Sequence, residues 1–319
     1  MPANLDLFGN ETVENTPVSR EIVRAGLERI ILGISAERLA AILYSQVEAV
    51  IDFARLCRGQ KAGRLISLLF NPHRLGTATL RSKSLISALQ SADTVSGIAR
   101  AIAWQDGKYP VRDALYRAIE VGANGVQYVN EFPPSIARDI FTSFGATRIL
   151  DPCAGWGGRM IGAASVGAFY HGFEPSSKTH SGLIKLGEFL KQFNTGFDFI
   201  VENLPFEDAK LTERYTLAMT SPPYFDTERY SDEQTQAAIK WPSFASFAGG
   251  FFIPMIKKAI ASADGGLVLN IGSRTYPMKQ TMLAAFPDAR KLTQFQLSAG
   301  AGVRNNDVEG ESFYLIKAE

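Results

Sequence analysis

The chain has 319 residues, 46% hydrophobic and 20% charged, with a formal net charge of +1. Such a composition fits a globular protein of two domains or one elaborated domain, without a global basic field to recruit nucleic acid. Two cysteines, Cys57 and Cys153, and three scattered histidines exclude a disulfide framework and give no metal-ligand spacing, so no metal is expected.

Residues 1–18 are polar and aperiodic and read as a flexible leader without the basic-then-apolar order of a signal peptide. No apolar run reaches the roughly 18 residues a membrane span needs. A cytoplasmic protein of a bacterium or a phage-infected cell is expected. From Ser19 to about Arg58, Ile22, Leu27, Ile30, Ile31, Leu39, Ile42, Leu43, Val47, Val50, Ile51 and Phe53 recur at spacings of three and four. That period predicts helices, with a break at Gly33 and a new start at Ser35. Lys61 to Gly122 also reads as helical, punctuated at Asn71-Pro72 and at Asp106 to Pro110.

Between Arg55 and Arg112 ten basic residues face only Asp93 and Asp106, a local charge of +8 that leaves −7 for the rest. Residues 19–125 therefore read as a helical, basic region able to neutralise phosphates and bind nucleic acid. The bland alternative is a solvated basic face. Thr94–Ala103 and Val111–Ile119 carry a faint helix-turn-helix outline, though the connection is long for one.

Near Gly145 the texture changes to strands alternating with helices. Arg148-Ile-Leu150, His171-Gly-Phe-Glu174, Phe197–Val201, Tyr215–Met219 and Gly266–Ile271 read as strands; Met160–Val166, Thr179–Phe193 and Phe247–Ala263 read as helices. Leu292–Leu297 and Ser312–Lys317 suggest a closing hairpin. The fold class expected for residues 126–319 is α/β, with a mostly parallel sheet and a C-terminal antiparallel hairpin.

Two motifs carry chemistry. Asp151-Pro-Cys-Ala-Gly-Trp-Gly-Gly158 lies between a strand and a helix, where small residues let the backbone approach a ligand. It is neither a G-x-G-x-x-G fingerprint nor a P-loop. An acidic Asp151 at the strand end suits a cationic cofactor, and Glu174, ending the next strand, suits ribose hydroxyls. Thr220-Ser-Pro-Pro-Tyr-Phe225 follows another strand. Its two prolines fix the turn, so the Ser221 oxygen and the Pro222 carbonyl form a pair of fixed acceptors for an amine, and Tyr224 offers a stacking face.

At these motifs the chain resembles the S-adenosylmethionine-dependent amino-methyltransferases acting on DNA. Asp151-Pro-Cys-Ala-Gly-Trp-Gly matches their D-P-x-x-G-x-G loop, Ser221-Pro-Pro-Tyr224 their [DNS]-P-P-[YFW] motif, and Asn130–Ala137 their cofactor-closing segment. The resemblance covers roughly Tyr128 to Glu319 and implies a Rossmann-like methyltransferase domain preceded by the helical region. It implies that Asp151, Pro152, Ala154, Gly155, Trp156 and Gly157 form the S-adenosyl-L-methionine loop, with Phe132 and Pro133 closing over the cofactor. Glu174 would hold the ribose, Glu202 or Asn203 would sit near the adenine with Phe206 packing there, and Ser221, Pro222, Pro223 and Tyr224 would hold the target base.

The implied reaction is in-line methyl transfer to the exocyclic amine of a base flipped from duplex DNA. Serine at position 221 is most typical of cytosine-N4 enzymes, with adenine-N6 next, either unaccompanied by a nuclease or paired with a separate one as in restriction-modification. RNA or a protein glutamine as acceptor, and a non-catalytic nucleic-acid-binding protein, are the further readings. Pro152-Cys153 resembles a cytosine-C5 nucleophile, but its place inside the cofactor loop argues for packing. Only about 40 residues separate Tyr224 from Leu267, too few for a large recognition insertion. Recognition then falls to the helical region and to the polar loop Asp226–Gln236, which reads equally as a solvated lid.

Overall fold

The structure is a computed structural model that describes residues 20–79, 83–104, 115, 131–272, 276–295 and 311–318. The expected leader and the second half of the helix-turn-helix outline lie outside the described residues.

Seven strands form the main sheet: β1 (Arg148–Asp151), β2 (Phe169–Phe173), β3 (Asp198–Glu202), β4 (Leu217–Thr220), β5 (Leu267–Ile271), β6 (Arg290–Lys291) and β7 (Ser312–Ile316). Their order is β3-β2-β1-β4-β5-β7-β6. The first five run parallel, and β7 inserts antiparallel between β5 and β6. The chain therefore has the expected Rossmann-like α/β fold with its closing antiparallel pair. β4 and β5 are buried along their whole length, which is why they read as largely apolar runs.

Side-chain alternation sends two cores to the two faces. Ile149, Tyr170, Leu217, Met219, Val268 and Phe313 face one core, which is completed by α5 (Pro134–Ser143), α6 (Gly158–Ser165) and α7 (Ser177–Lys191). Leu150, Phe173, Ala218, Leu267, Leu269 and Tyr314 face the other, covered by the helical stretch Phe244–Ser262. By length and composition that 19-residue stretch is apolar enough to cross a membrane, which the count of consecutive apolar residues did not reveal. Phe247, Phe252, Met255, Ile256 and Ala259 bury its inner face on the sheet.

Upstream lie α1 (Arg20–Ile31), α2 (Ala36–Leu43), α3 (Gln46–Cys57) and α4 (Ala92–Ala103). Gly33 takes a positive φ of 70° and Ser35 caps α2, as the expected break requires. A further break at Ser45 was not anticipated; its hydroxyl and Glu48 form a capping box that starts α3. The expected helix after Lys61 is instead two 3-10 turns, Ile66–Leu69 and Pro72–Gly76, and a two-residue strand, Ala78–Thr79. Pro72 removes a donor and Asn71 before it, with φ −125° and ψ 54°, is out of the helical region, so an α-helix cannot pass. Ala49, Phe53, Leu56 and Ile66 pack into the α5–α7 core, while Leu27, Leu39, Leu68, Val95 and Ile98 form a third core among the N-terminal helices.

Candidate functional site

The carboxyl ends of β1 and β4 are neighbours in the sheet, so the glycine loop and the Ser-Pro-Pro-Tyr turn leave it side by side. Thr220 locks them together. Its hydroxyl donates to Asp151 Oδ1 at 2.9 Å and accepts from the Cys153 amide at 3.1 Å.

Asp151 is fully buried. Besides Thr220, it accepts from the Cys153 amide, from Arg159 Nε at 2.8 Å and from Tyr170 Oη at 2.7 Å. Both oxygens are engaged by the chain itself, and the Arg159 guanidinium, also buried, neutralises the charge. The expectation that this carboxylate faces a cationic ligand is therefore corrected: Asp151 acts through the loop it holds in shape.

That loop is cut to a close fit on one side and left open on the other. Gly157 has a φ of 95°, and a Cβ there would lie 2.6 Å from Leu186. A Cβ at Gly158 would lie 2.0 Å from the Phe132 carbonyl oxygen, so Phe132 and Pro133 run directly over the start of α6. At Gly155, φ 54°, the nearest atom to a Cβ is 3.9 Å away, leaving room for a ligand against the backbone. Ala154 donates to the Phe173 carbonyl, fastening the loop to β2, and Pro152 is buried beneath it. Trp156 is wedged between His73 and Tyr230, with ring centroids at 5.4 and 5.9 Å. Burial and the Asp151 charge push the Cys153 thiol far up, which disfavours the thiolate a nucleophile needs.

Glu174, half-buried just after β2, accepts from the Ser176 amide at 2.9 Å and from the Gly155 amide. Burial, with Asp151 and Glu233 adding like charge, pushes its pKa up to about 8 against those two donors. Asn203 lies beside it and donates from Nδ2 to the Glu174 and Pro175 carbonyls. Glu202 is turned away to His171 Nε2 at 2.8 Å. Of the two expected residues after β3, Asn203 thus shares the site and Glu202 does not. Phe206 is also outside it: it is buried against Phe173 in the opposite core, with the Lys258 ammonium over its ring.

In the second motif Ser221 and Tyr224 are part-exposed, Pro222 is buried and Pro223 part-exposed. Phe225 follows with a φ of 57°, a left-handed conformation held by contacts with Phe244, Phe247 and Tyr276. Such a geometry costs roughly 1–3 kcal/mol and persists only where the surroundings impose it. The polar loop then crosses the site. Glu228–Arg229 pairs with Ala78–Thr79, and Glu233 accepts from the Ser177 amide and hydroxyl at the N-terminus of α7. A cavity of about 480 Å³ between this loop, the Pro72–Gly76 turn and α7 is lined by His73, Thr77, Ser176, Lys178 and Tyr230.

The basic stretch divides on inspection. Arg55, Arg58, Lys61 and Arg64 are exposed at and after the end of α3, whereas Arg74 is buried in an ion pair with Glu131. Arg81, Lys108 and Arg112 lie outside the described residues. Among the described residues no group of three metal-ligating side chains converges.

The sequence reading missed Arg159, Tyr170, Thr220 and Asn270. A signal existed for the last, since it is polar within an otherwise apolar strand. Arg159 and Tyr170 carry none, because a helix-start arginine ordinarily reads as solvated.

No protein-family model matches the sequence, and no curated protein matches it significantly. Solved structures similar to it include a magnesium protoporphyrin IX methyltransferase from Synechocystis, crystallised with bound S-adenosylmethionine. That chain is 10% identical, with 58% of this chain and 79% of that one covered at a TM-score of 0.40. A TehB-like S-adenosylmethionine-dependent methyltransferase from Corynebacterium glutamicum is 12% identical, with coverages of 65% and 97% and a TM-score of 0.35. At such values the fold rests on the strand order above, and no substrate is carried over.

Proposed function

We propose that this protein transfers a methyl group from S-adenosylmethionine to the exocyclic amine of a DNA base, cytosine N4 before adenine N6. The observation that carries this reading is the joining of the two motifs: an open glycine loop and a rigid turn with paired acceptors, tied together through Thr220.

The residues present fit the cofactor. Gly155 leaves the space a side chain would fill, Glu174 offers a carboxyl beside it for ribose hydroxyls, and Asn203 borders the same connection. When bound, the cofactor would supply a sulfonium methyl: the carbon–sulfur electron pair stays on sulfur as the carbon–nitrogen bond forms, and the nitrogen then sheds one proton to solvent. This chain's part is to make a poor nucleophile usable. The amine lone pair is delocalised into the ring; N–H donation to Ser221 and to the Pro222 carbonyl favours a pyramidal nitrogen with its lone pair aimed at the methyl carbon. Tyr224 gives the ring a face to stack on, and positioning supplies the acceleration. Arg55, Arg58, Lys61 and Arg64 form an exposed basic run suited to the phosphate backbone.

The test is incubation with labelled S-adenosylmethionine and mixed-sequence duplex DNA, followed by nucleoside mass spectrometry. N4-methylcytosine or N6-methyladenine is the expected product. No label in DNA, with calorimetry showing that the cofactor binds, would move the acceptor to RNA or a protein glutamine. Absence of cofactor binding would leave a non-catalytic nucleic-acid-binding protein.

A further inference from the structure

Asn270 lies on β5 with 1% of its surface exposed. Its strand reads Leu267-Val-Leu-Asn-Ile271, and its four companions are apolar and fully buried. Its antiparallel partner in register is Phe313, also fully buried, whose ring meets Phe132 at 6.0 Å. Nothing in that setting needs an amide. One half of it is used: Oδ1 accepts from the Ser221 hydroxyl at 3.2 Å. The other half, Nδ2, is buried and has no hydrogen-bond partner. A buried donor left without a partner is destabilising, so the amide is a donor awaiting an acceptor next to the turn that holds the substrate.

Both halves bear on the same event. Because Ser221 gives its proton to Asn270, its lone pairs are left to accept, which is what an amine donor requires. The free Nδ2 hydrogens stand beside that acceptor. Together they present an acceptor followed by a donor. The complementary edge is an amine followed by an unprotonated ring nitrogen, as in cytosine (N4 and N3) and adenine (N6 and N1).

We propose that Asn270 is a specificity residue of this site: its carbonyl sets Ser221 as an acceptor, and its amide donates to the ring nitrogen that adjoins the target amine. This rests on the methyl-transfer reading above and names the edge that the site recognises.

The experiment compares oligonucleotides in which the methylated base is intact or has that ring nitrogen replaced by C–H, as 3-deazacytosine or 1-deazaadenine. With the wild-type chain, the replacement is expected to lower kcat/KM by about 10–100-fold. In Asn270→Asp, which keeps an acceptor for Ser221 and loses the donor, transfer to the intact base should fall by a similar factor. The deaza base should then cost less than about twofold more. Asn270→Ala provides a second variant should the buried charge of aspartate impair folding. In either variant, cofactor affinity by calorimetry should match wild type. A wild type that methylates intact and deaza bases alike, or variants that lose equal factors on both, would overturn the proposal. A wild type that methylates no DNA base while binding cofactor would instead remove the reading of the acceptor on which the proposal stands.

Discussion

In the glycine loop both oxygens of Asp151 are engaged inside the chain, whereas the turn at Ser221 keeps its acceptors and the neighbouring Asn270 amide available. The two segments are adjacent, of similar length, and share Thr220, yet the carboxylate of one is satisfied inside the chain and the polar groups of the other are left available. Polar groups that satisfy each other hold a backbone in one shape, and this suits a loop whose ligand is always the same molecule. Groups left wanting a partner, next to a strained Phe225, suit a ligand that must be gripped and released.

The largest effect should come from setting the two against each other. Asp151→Ala strips the buried Arg159 of its counter-charge, so a loss of about 3–5 kcal/mol of stability is expected, together with weakened cofactor binding. Ser221→Ala and Tyr224→Ala should leave the thermal midpoint and cofactor affinity nearly unchanged while lowering transfer by about 100-fold. Thermal melts, calorimetry and methyl-transfer rates on the three variants separate these outcomes. Equal loss of cofactor binding in all three would erase the distinction between a scaffolding loop and a substrate turn.

A smaller and more local break is Gly158→Ala. The new methyl group would sit 2.0 Å from the Phe132 carbonyl, so the segment lying over α6 must move. We expect about 1–3 kcal/mol of destabilisation and a rise in the cofactor Kd, with the kcat of saturated enzyme much less affected. A fall in kcat with unchanged Kd would mean that Phe132 and Pro133 serve the substrate side instead.

The central strands β4 and β5 were legible because burial along their length makes them largely apolar, and the two motifs because glycine and proline are demanded by backbone geometry at fixed places. Asp151 was legible as important but not as internal, since its partners Arg159, Tyr170 and Thr220 come from three different elements and meet only after the sheet forms. Glu202 and Asn203 could not be ranked from sequence, because the choice depends on Glu202 at the end of β3 reaching His171 on the neighbouring β2. The 3-10 turns at Ile66 and Pro72 replaced an expected helix, for apolar spacing alone does not distinguish a short buried turn from an α-helix.

The finest discrimination is by pH, through Glu174. In the ligand-free protein its pKa is raised from the ordinary 4.5 to about 8, chiefly by burial. The unfolded chain then gives up this proton well before the folded one does, so this group's contribution to stability falls as pH rises between about 4.5 and 8. Cofactor binding should run the other way. Ribose hydroxyls donate best to the ionised carboxylate, so raising the pH from 7 to 9 should tighten binding by about tenfold, with proton release on binding near pH 7. Calorimetry in two buffers of different ionisation enthalpy counts that proton. Glu174→Gln should flatten the pH dependence of both stability and affinity arising from this group. An affinity independent of pH in the wild type would mean that Glu174 serves only to accept the Gly155 and Ser176 amides. The loop would then be closed at both of its carboxylates, and the ribose would have to be held by other groups, with Asn203 the nearest of those expected.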